Sequence, residues 1–296
     1  MTKEAEFSVV TDTTSDLSED ILKELGISLI SYYVYVNGDS YQEKIDIEPE
    51  DIWKSMIEAQ DGKYPKTACP GVGEYYEVFK KILESGKSVL SIHMTSWGSG
   101  AFQSATAAKN ILKEENPNYE IEVYDSKSAT LGTGFLAMEA AKAALKGWSV
   151  SQALQQIKKI RENLFHAFTN DTLKYLAAGG RIGKAKYLLA EVFNINPIIS
   201  IDSDGVIYAL DKERGRKRAY QKIASHTHDF FKNKFPINIG FVHANAVEEV
   251  SKLKEEVLKR FNVKEILSEK LGAALSVHAG PGTVGLVAYP SELSVY

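Results

Sequence analysis

The chain opens with a short apolar run, Phe7-Ser8-Val9-Val10-Thr11, that ends in the polar cluster Asp12-Thr13-Thr14-Ser15-Asp16. This pattern predicts a buried strand, a polar turn and the cap of a helix near residues 18–25. Residues 29–36 are rich in β-branched and aromatic side chains and stop at Asn37-Gly38-Asp39, which predicts one strand and a tight turn. Pro49, followed by Glu50 and Asp51, marks a helix start: proline lacks the N–H that a first turn leaves unbonded, and acids suit the positive end of the helix dipole. The strand-and-helix unit then recurs. Residues 88–93 read as a buried strand, residues 95–100 as a small-residue loop, and residues 101–112 as a helix with alanines on one face. Residues 121–124 form the next strand, ending at Asp125-Ser126, and residues 131–145 the next helix. Gly147-Trp148-Ser149 ends that helix, and Ser149 with Gln152 makes a capping box for another. Alternation of this kind implies a parallel sheet with helices on both faces.

Past residue 165 the rhythm changes. Helices are predicted near 170–178 and 184–193, then a hairpin of residues 197–201 and 206–209 around Asp202-Ser203-Asp204-Gly205. A helix from about Glu213, a strand at 237–243, a helix to Arg260 and strands at 263–268 and 283–289 complete an α+β pattern. The fold class expected is therefore α/β with two domains: a parallel-sheet α/β domain over 1–165 and an α+β domain over 166–296. The length of 296 residues agrees with a prior of ~150 residues per domain.

Composition narrows the function classes. Apolar residues at 44% and charged residues at 25% are those of a globular protein, and 35 basic against 39 acidic residues are interspersed, with no basic block to track a phosphate backbone. Nucleic acid is not an expected partner. The start, Thr2-Lys3-Glu4-Ala5-Glu6, is too acidic for a secretory leader, and no apolar run approaches the ~18 residues of a membrane span. Cys69 is the single cysteine, so no internal disulfide can form and a cytoplasmic location is expected. It reads more readily as a loop cysteine than as a nucleophile.

The most informative local feature is Thr95-Ser96-Trp97-Gly98-Ser99-Gly100, between an apolar strand and a helix. Unpaired N–H groups and the aligned peptide dipoles make such a junction an anion site, with Ser96 and Ser99 as hydroxyl donors and Gly98 and Gly100 permitting close approach. A well-capped helix without a ligand fits the same spacing equally well. Lys66-Thr67-Ala68-Cys69-Pro70-Gly71 is a second turn before a helix. Gly179-Gly180-Arg181-Ile182-Gly183-Lys184 lacks the spacing of a phosphate loop and reads as a glycine C-cap followed by an arginine. Gly280-Pro281-Gly282-Thr283-Val284-Gly285 has the spacing of a dinucleotide fingerprint, but a strand follows it, so the glycines read as a turn that fixes His278. His278 serves either as a structural hydrogen-bonding group or as a contact to a buried anion. His226 and His228, two apart on a helix, point in different directions, and capping accounts for Asp12, Asp16 and Asp125. No metal or cofactor is expected.

Taken in order, these segments resemble the DegV family over almost the whole chain. Thr11-Asp12-Thr13-Thr14-Ser15-Asp16-Leu17 resembles the family's opening motif, and Thr67-Ala68-Cys69-Pro70 is a degraded form of its Thr-Ser-Gln-Pro turn. The segment from Thr95 to Ala105 is similar to its Ser-rich loop and helix; Asp125-Ser126, Gly179-Gly180-Arg181-Ile182, Asn196-Pro197-Ile198 and His278-Ala279-Gly280-Pro281-Gly282 follow in place. The resemblance implies a long-chain fatty acid enclosed between the two domains. It also implies a separate ATP-dependent fatty acid kinase as partner, to which the bound carboxylate is presented for conversion to acyl phosphate. On the same ground, Thr67 and Ser99 hold the carboxylate, the Gly100 backbone assists, His278 and Arg181 stand nearby, and Arg214 faces the partner. Ala68 and Cys69 replace the family's Ser-Gln, Ala101 the Thr after Ser-Gly, and Ala279 the Thr after His, so hydroxyls are lost around the headgroup; Trp97 is placed to narrow the entrance. Two rival readings are an acyl hydrolase or transferase using Ser99 or Cys69 with His278, and a ligand-responsive interaction protein.

Overall fold

The structure is a computed structural model and describes residues 5–59, 63–190, 195–232 and 236–296. Its first half runs β1 (Phe7–Asp12), α1 (Glu19–Leu25), β2 (Ser28–Ile30), β3 (Tyr33–Val36), β4 (Asp39–Gln42), α2 (Pro49–Glu58), β5 (Lys66–Ala68), α3 (Val72–Glu84), β6 (Ser88–His93), α4 (Ala101–Glu115), β7 (Ile121–Asp125), α5 (Leu131–Leu145) and α6 (Val150–Glu162). The second half runs β8 (Phe165–Thr169), α7 (Lys174–Ala178), a 3-10 helix (Gly183–Ala190), β9 (Asn196–Ile201), β10 (Ile207–Glu213), α8 (Arg216–Phe231), β11 (Ile237–His243), α9 (Val247–Leu258), β12 (Val263–Lys270), α10 (Ala273–Ala279) and β13 (Val284–Pro290).

Among the described residues the strands form three sheets. The order β2-β1-β6-β7 is parallel throughout, as the strand–helix alternation predicts. The order β10-β9-β8-β13-β11-β12 is mixed, with β11 and β12 parallel and the other pairs antiparallel. A small antiparallel sheet, β4-β3-β5, stands beside them. Helices α3 and α4 cover one face of the parallel sheet. The other face meets α5, which is buried along nearly its whole length because its sequence is apolar all round. Beyond α5 lies the mixed sheet, and α8 and α9 close that sheet's far side.

Helix α5 is therefore the shared centre of the molecule. One apolar cluster joins Phe7, Val9, Leu90 and Ile92 of the parallel sheet through α5 to Val242, Val287 and Tyr289 of the mixed sheet. Gly132 and Gly134 permit the close packing: a Cβ on Gly132 would overlap Ser128 and His166, and one on Gly134 would overlap the Ser15 carbonyl. Glu139, buried on α5, accepts from Tyr289 Oη (3.1 Å) and Ser294 Oγ (3.0 Å), which ties the C-terminal segment to the same helix.

Several boundaries differ from the sequence expectation. Residues 29–36 are not one strand: the chain breaks at Ser31-Tyr32, so that β2 joins the parallel sheet and β3 the small one. Glu213 ends strand β10, and the helix starts at Arg216, after Gly215 at φ 86°. Strand β8 and helix α10 were not anticipated, since both are short and their burial comes from distant partners. Of the helix expected at 184–193, residues up to 190 form the 3-10 helix and 191–193 lie outside the described residues. Residues 1–4, part of the start judged too acidic for a leader, also lie outside them. Among the described residues no helix is long and apolar enough to cross a membrane.

Candidate functional site

The segments that follow β1 and β6 and the strands β8 and β9 line one opening, with β5, α7 and α10 around it. Ligands of open α/β sheets sit at such strand ends. Here the elements enclose a cavity of about 350 Å³, within the usual range for small-molecule sites. Most of its wall is apolar, including Leu173, Leu176, Phe168, Ile199, Ile201 and Ile207. Thr67, Ser99, Gly100, Arg181 and His278 all line it, although they come from four separate stretches of chain.

These residues stand beside one another on the cavity wall. Thr67 lies on β5, where pairing of Val34 with Thr67 fixes its direction, and its Oγ1 is 2.8 Å from His278 Nε2. His278 sits in the last turn of α10, and Gly280 at φ 84° closes that turn by bonding its N–H to Ser276 O. The other ring nitrogen, Nδ1, lies against Gly179, where an added Cβ would overlap it. Arg181 Nη1 donates to Gly179 O (2.5 Å) and Nε to Gly98 O (3.1 Å), so the arginine bridges the two glycine loops. Beyond Gly98 come Ser99 and Gly100; a Cβ on Gly100 would stand 3.2 Å from Cys69 Sγ, two residues from Thr67. The hydroxyls of Thr67 and Ser99 thus belong to one polar collar on an apolar cavity.

Each hydroxyl has a neutral partner behind it. Burial, and then the charge of Arg181, push the His278 pKa down to about 4, so the ring is neutral at pH 7. Its Nδ1 is buried with no hydrogen-bond partner, and leaving a lone pair there costs less than leaving an N–H donor. The tautomer that satisfies the site therefore carries its proton on Nε2 and donates to Thr67 Oγ1. Ser99 Oγ accepts from Ala101 N (3.3 Å) and is 2.7 Å from the hydroxyl of Tyr32.

The sequence expectation of several free N–H groups at this junction is trimmed. The N–H groups of Gly98 and Ser99 both go to Thr95 O (3.0 and 3.2 Å), and that of Ala101 goes to Ser99 Oγ. The hydroxyls of Thr67 and Ser99 line the cavity beside the Gly100 backbone. Ser96, expected as a donor, does not line the cavity; Asp125 Oδ1 holds its N–H (3.2 Å) and that of Lys127 (2.8 Å), which turns the loop away. Trp97 lines the cavity while 40% exposed, as a residue at its mouth does. Gly179 is right-handed at φ −78°, and the left-handed turn belongs to Gly180 at φ 72°, so Gly179 is required for room beside His278. Arg214 is exposed, whereas its neighbour Arg216 is turned inward onto Asp171 (2.6 Å) and Gly282 O (2.9 Å).

The geometry bears on nucleophilic chemistry too. His278 bonds to Thr67 and not to Ser99 or Cys69, and its Nδ1 has no orienting carboxylate. A serine–histidine–aspartate chain does exist elsewhere: Ser91 Oγ to His93 Nε2 (2.6 Å) and His93 Nδ1 to Asp12 Oδ2 (2.7 Å). All three residues are fully buried between parallel strands, and no substrate can reach Ser91. Asp12 also caps the turn at Thr14, as its position after β1 predicts. His226 binds Asp211 (2.7 Å), and among the described residues no three metal-type ligands gather.

Tyr32 reads in the sequence as the middle of a strand, and no local signal marks it as part of the site. The comparisons with known proteins agree with the architecture. The model of an uncharacterised protein family, the DegV family, matches residues 6–291. A DegV domain-containing protein from Clostridium acetobutylicum is 31% identical over 282 residues, covering 95% of this chain and 97% of that protein. A DegV family protein from Thermus thermophilus, whose structure is described for its fatty acid binding, superposes with a TM-score of 0.90 at 31% identity, over 96% of this chain and 99% of that one. A stearic acid-binding protein from Eubacterium ventriosum superposes with a TM-score of 0.88 at 27% identity, over 96% and 98% of the two chains. With the parallel sheet, the mixed sheet and nearly every residue of the chain accounted for in this way, the protein belongs to the DegV family.

Proposed function

We propose that this protein binds a long-chain fatty acid, with the acyl tail in the apolar cavity and the carboxylate at the collar of Thr67 and Ser99. The observation that carries the reading is the collar itself: two hydroxyls, each backed by a neutral group, on a cavity that is otherwise apolar. The fatty acid binding described for the solved relatives supports it. Burial of the tail drives association. At ~0.8 kcal/mol per methylene, about a dozen methylenes supply roughly 10 kcal/mol before the costs of association. The collar selects an acid and sets its direction, and Arg181 adds positive charge close by. On this reading residues 1–165 and 166–296 are the two halves that enclose the chain, the protein is cytoplasmic, and it acts as a carrier and not as an enzyme.

The finer role we propose is presentation of the carboxylate to a separate ATP-dependent fatty acid kinase. The exposure of Arg214, beside the exposed Lys217 and Arg218, suits a docking role for that residue. A kinase-coupled assay with Arg214→Ala separates docking from binding: phosphorylation should fall while affinity for the acid is kept.

Titration of palmitate and methyl palmitate into wild type and Ser99→Ala tests the binding itself. Loss of a hydrogen bond to a charged group costs ~1.5–3 kcal/mol, so palmitate affinity should drop by roughly ten- to a hundredfold and ester affinity should hold. If Ser99 were only a helix cap, the acid-to-ester ratio would stay constant while stability fell by about 1 kcal/mol.

A further inference from the structure

We propose that Tyr32 is the positioning residue of the collar: its hydroxyl donates to Ser99 Oγ and thereby turns the Ser99 O–H toward the bound carboxylate. The inference rests on the fatty acid reading and adds a residue that lines the same cavity and acts through Ser99.

Three observations carry it. First, Tyr32 is held rigidly. Its N–H donates to Thr13 Oγ1 (3.1 Å), its carbonyl accepts from Glu43 N (2.9 Å), and its ring is buried in a cluster with Tyr75, Met94 and Ala101. With the main chain held and the ring packed, the phenol oxygen stands 2.7 Å from Ser99 Oγ. Second, Ser99 Oγ already accepts the Ala101 N–H, which leaves one lone pair and one proton to place. A phenol is a stronger acid than an aliphatic alcohol and so the better donor of the two. When Tyr32 fills the second lone pair, the Ser99 proton has to leave the protein side and face the cavity. Third, the arrangement is matched on the opposite side of the collar. Thr67 Oγ1 is 2.8 Å from His278 Nε2, and with the ring proton on Nε2, as argued above, His278 donates and leaves that hydroxyl's proton free in the same way. Two neutral donors behind two hydroxyls make a carboxylate receptor with few costly alternatives, because each chain of bonds polarises in one sense only when an anion accepts at its end.

The residue is also specificity-determining. A methyl ester is a weaker acceptor than a carboxylate, so a pre-aimed donor favours the acid more than a free-rotating hydroxyl does.

Tyr32→Phe keeps the ring and removes the donor. Palmitate affinity should fall by about three- to tenfold, and methyl palmitate affinity should stay within about twofold. In a Ser99→Ala background the same substitution should have no further effect on the acid, since the two residues act as one unit. A purely structural Tyr32 would instead lower affinity for both ligands together, and an acid-to-ester ratio kept at the wild-type value overturns the proposal. So does an additive double mutant. Should Tyr32→Phe fail to fold, 3-fluorotyrosine at position 32 gives the direction of donation: a more acidic phenol should raise the acid-to-ester preference, and a lowered or unchanged preference contradicts it. A wild type with no preference for palmitate over its ester overturns the headgroup reading as a whole, whereas a preference that keeps its full wild-type size in Tyr32→Phe overturns this proposal alone.

Discussion

At the scale of single residues, the collar depends on protons being in particular places. His278 is the clearest case, since burial and Arg181 hold its pKa at about 4 against an ordinary 6.5. Nitrogen-15 NMR of the imidazole at pH 6 should therefore show a neutral ring protonated at Nε2; a charged ring at that pH, or a proton on Nδ1, would contradict the donor role assigned to it. Thr67→Ala should weaken palmitate in the same direction as Ser99→Ala, and the double mutant should be non-additive because both hydroxyls serve one headgroup. Ser99 was legible in the sequence because a serine between strand and helix has local meaning. Thr67 was legible only through the family resemblance, as its turn alone is unremarkable. Tyr32 was not legible, because the group that gives it a role lies 67 residues away.

At the scale of elements, the two glycine loops and α10, which joins β12 to β13 in the chain, set the collar's shape. Arg181 ties the loop at Gly98 to the loop at Gly179, and Arg214 follows β10 in solvent. The two arginines should separate on substitution. Arg181→Ala removes charge-assisted bonds to two carbonyls and should cost about 1–3 kcal/mol of stability together with palmitate affinity. Arg214→Ala should change stability by less than ~0.5 kcal/mol and leave affinity alone. Thermal melts and palmitate titrations of both variants check this, and equal loss of affinity in the two would defeat the assignment. The longer elements with local periodicity, such as α4, α5 and α8, were readable from the chain to within a few residues. Strand β8 and helix α10 were not, since five and seven residues carry little pattern and their burial is supplied by other elements. The break at Ser31-Tyr32 was hidden because β-branched and aromatic residues continue across it, and only the pairing of β3 with β5 tells the two strands apart.

At the scale of the whole molecule, the cavity is held between parts of the chain far apart in sequence, and buried acids help to hold them. Asp16 Oδ1 accepts the N–H of Gly272 (2.8 Å), next to the start of α10, and Thr13 Oγ1 donates to nearby Glu43 (2.6 Å). Burial pushes the Asp16 carboxyl up to about 8, from an unfolded value of 3.8, and raises Glu43 as well. A raised acid keeps its proton in the folded state while the unfolded state has lost it. The contribution of Asp16 to stability is thus full below pH 3.8 and is lost as pH rises toward and through 8. Melting temperatures at pH 6 and pH 8.5 should show a decline in wild type that Asp16→Asn reduces; an equal decline in the variant would mean that Asp16 is ionised throughout. Neither this contact nor the sharing of one core through α5 was visible in the sequence, where Asp16 read as a helix cap and the halves as separate domains.

The central claim is that the cavity holds a long-chain acid. Native mass spectrometry of the protein purified without added lipid, followed by denaturing extraction, addresses it directly. An emptied apolar cavity is unfavourable in water, so the folded species should carry one added mass that is released as a long-chain fatty acid in about a one-to-one ratio with the chain. A clean apo mass, together with no rise in melting temperature when palmitate is added, would contradict the account.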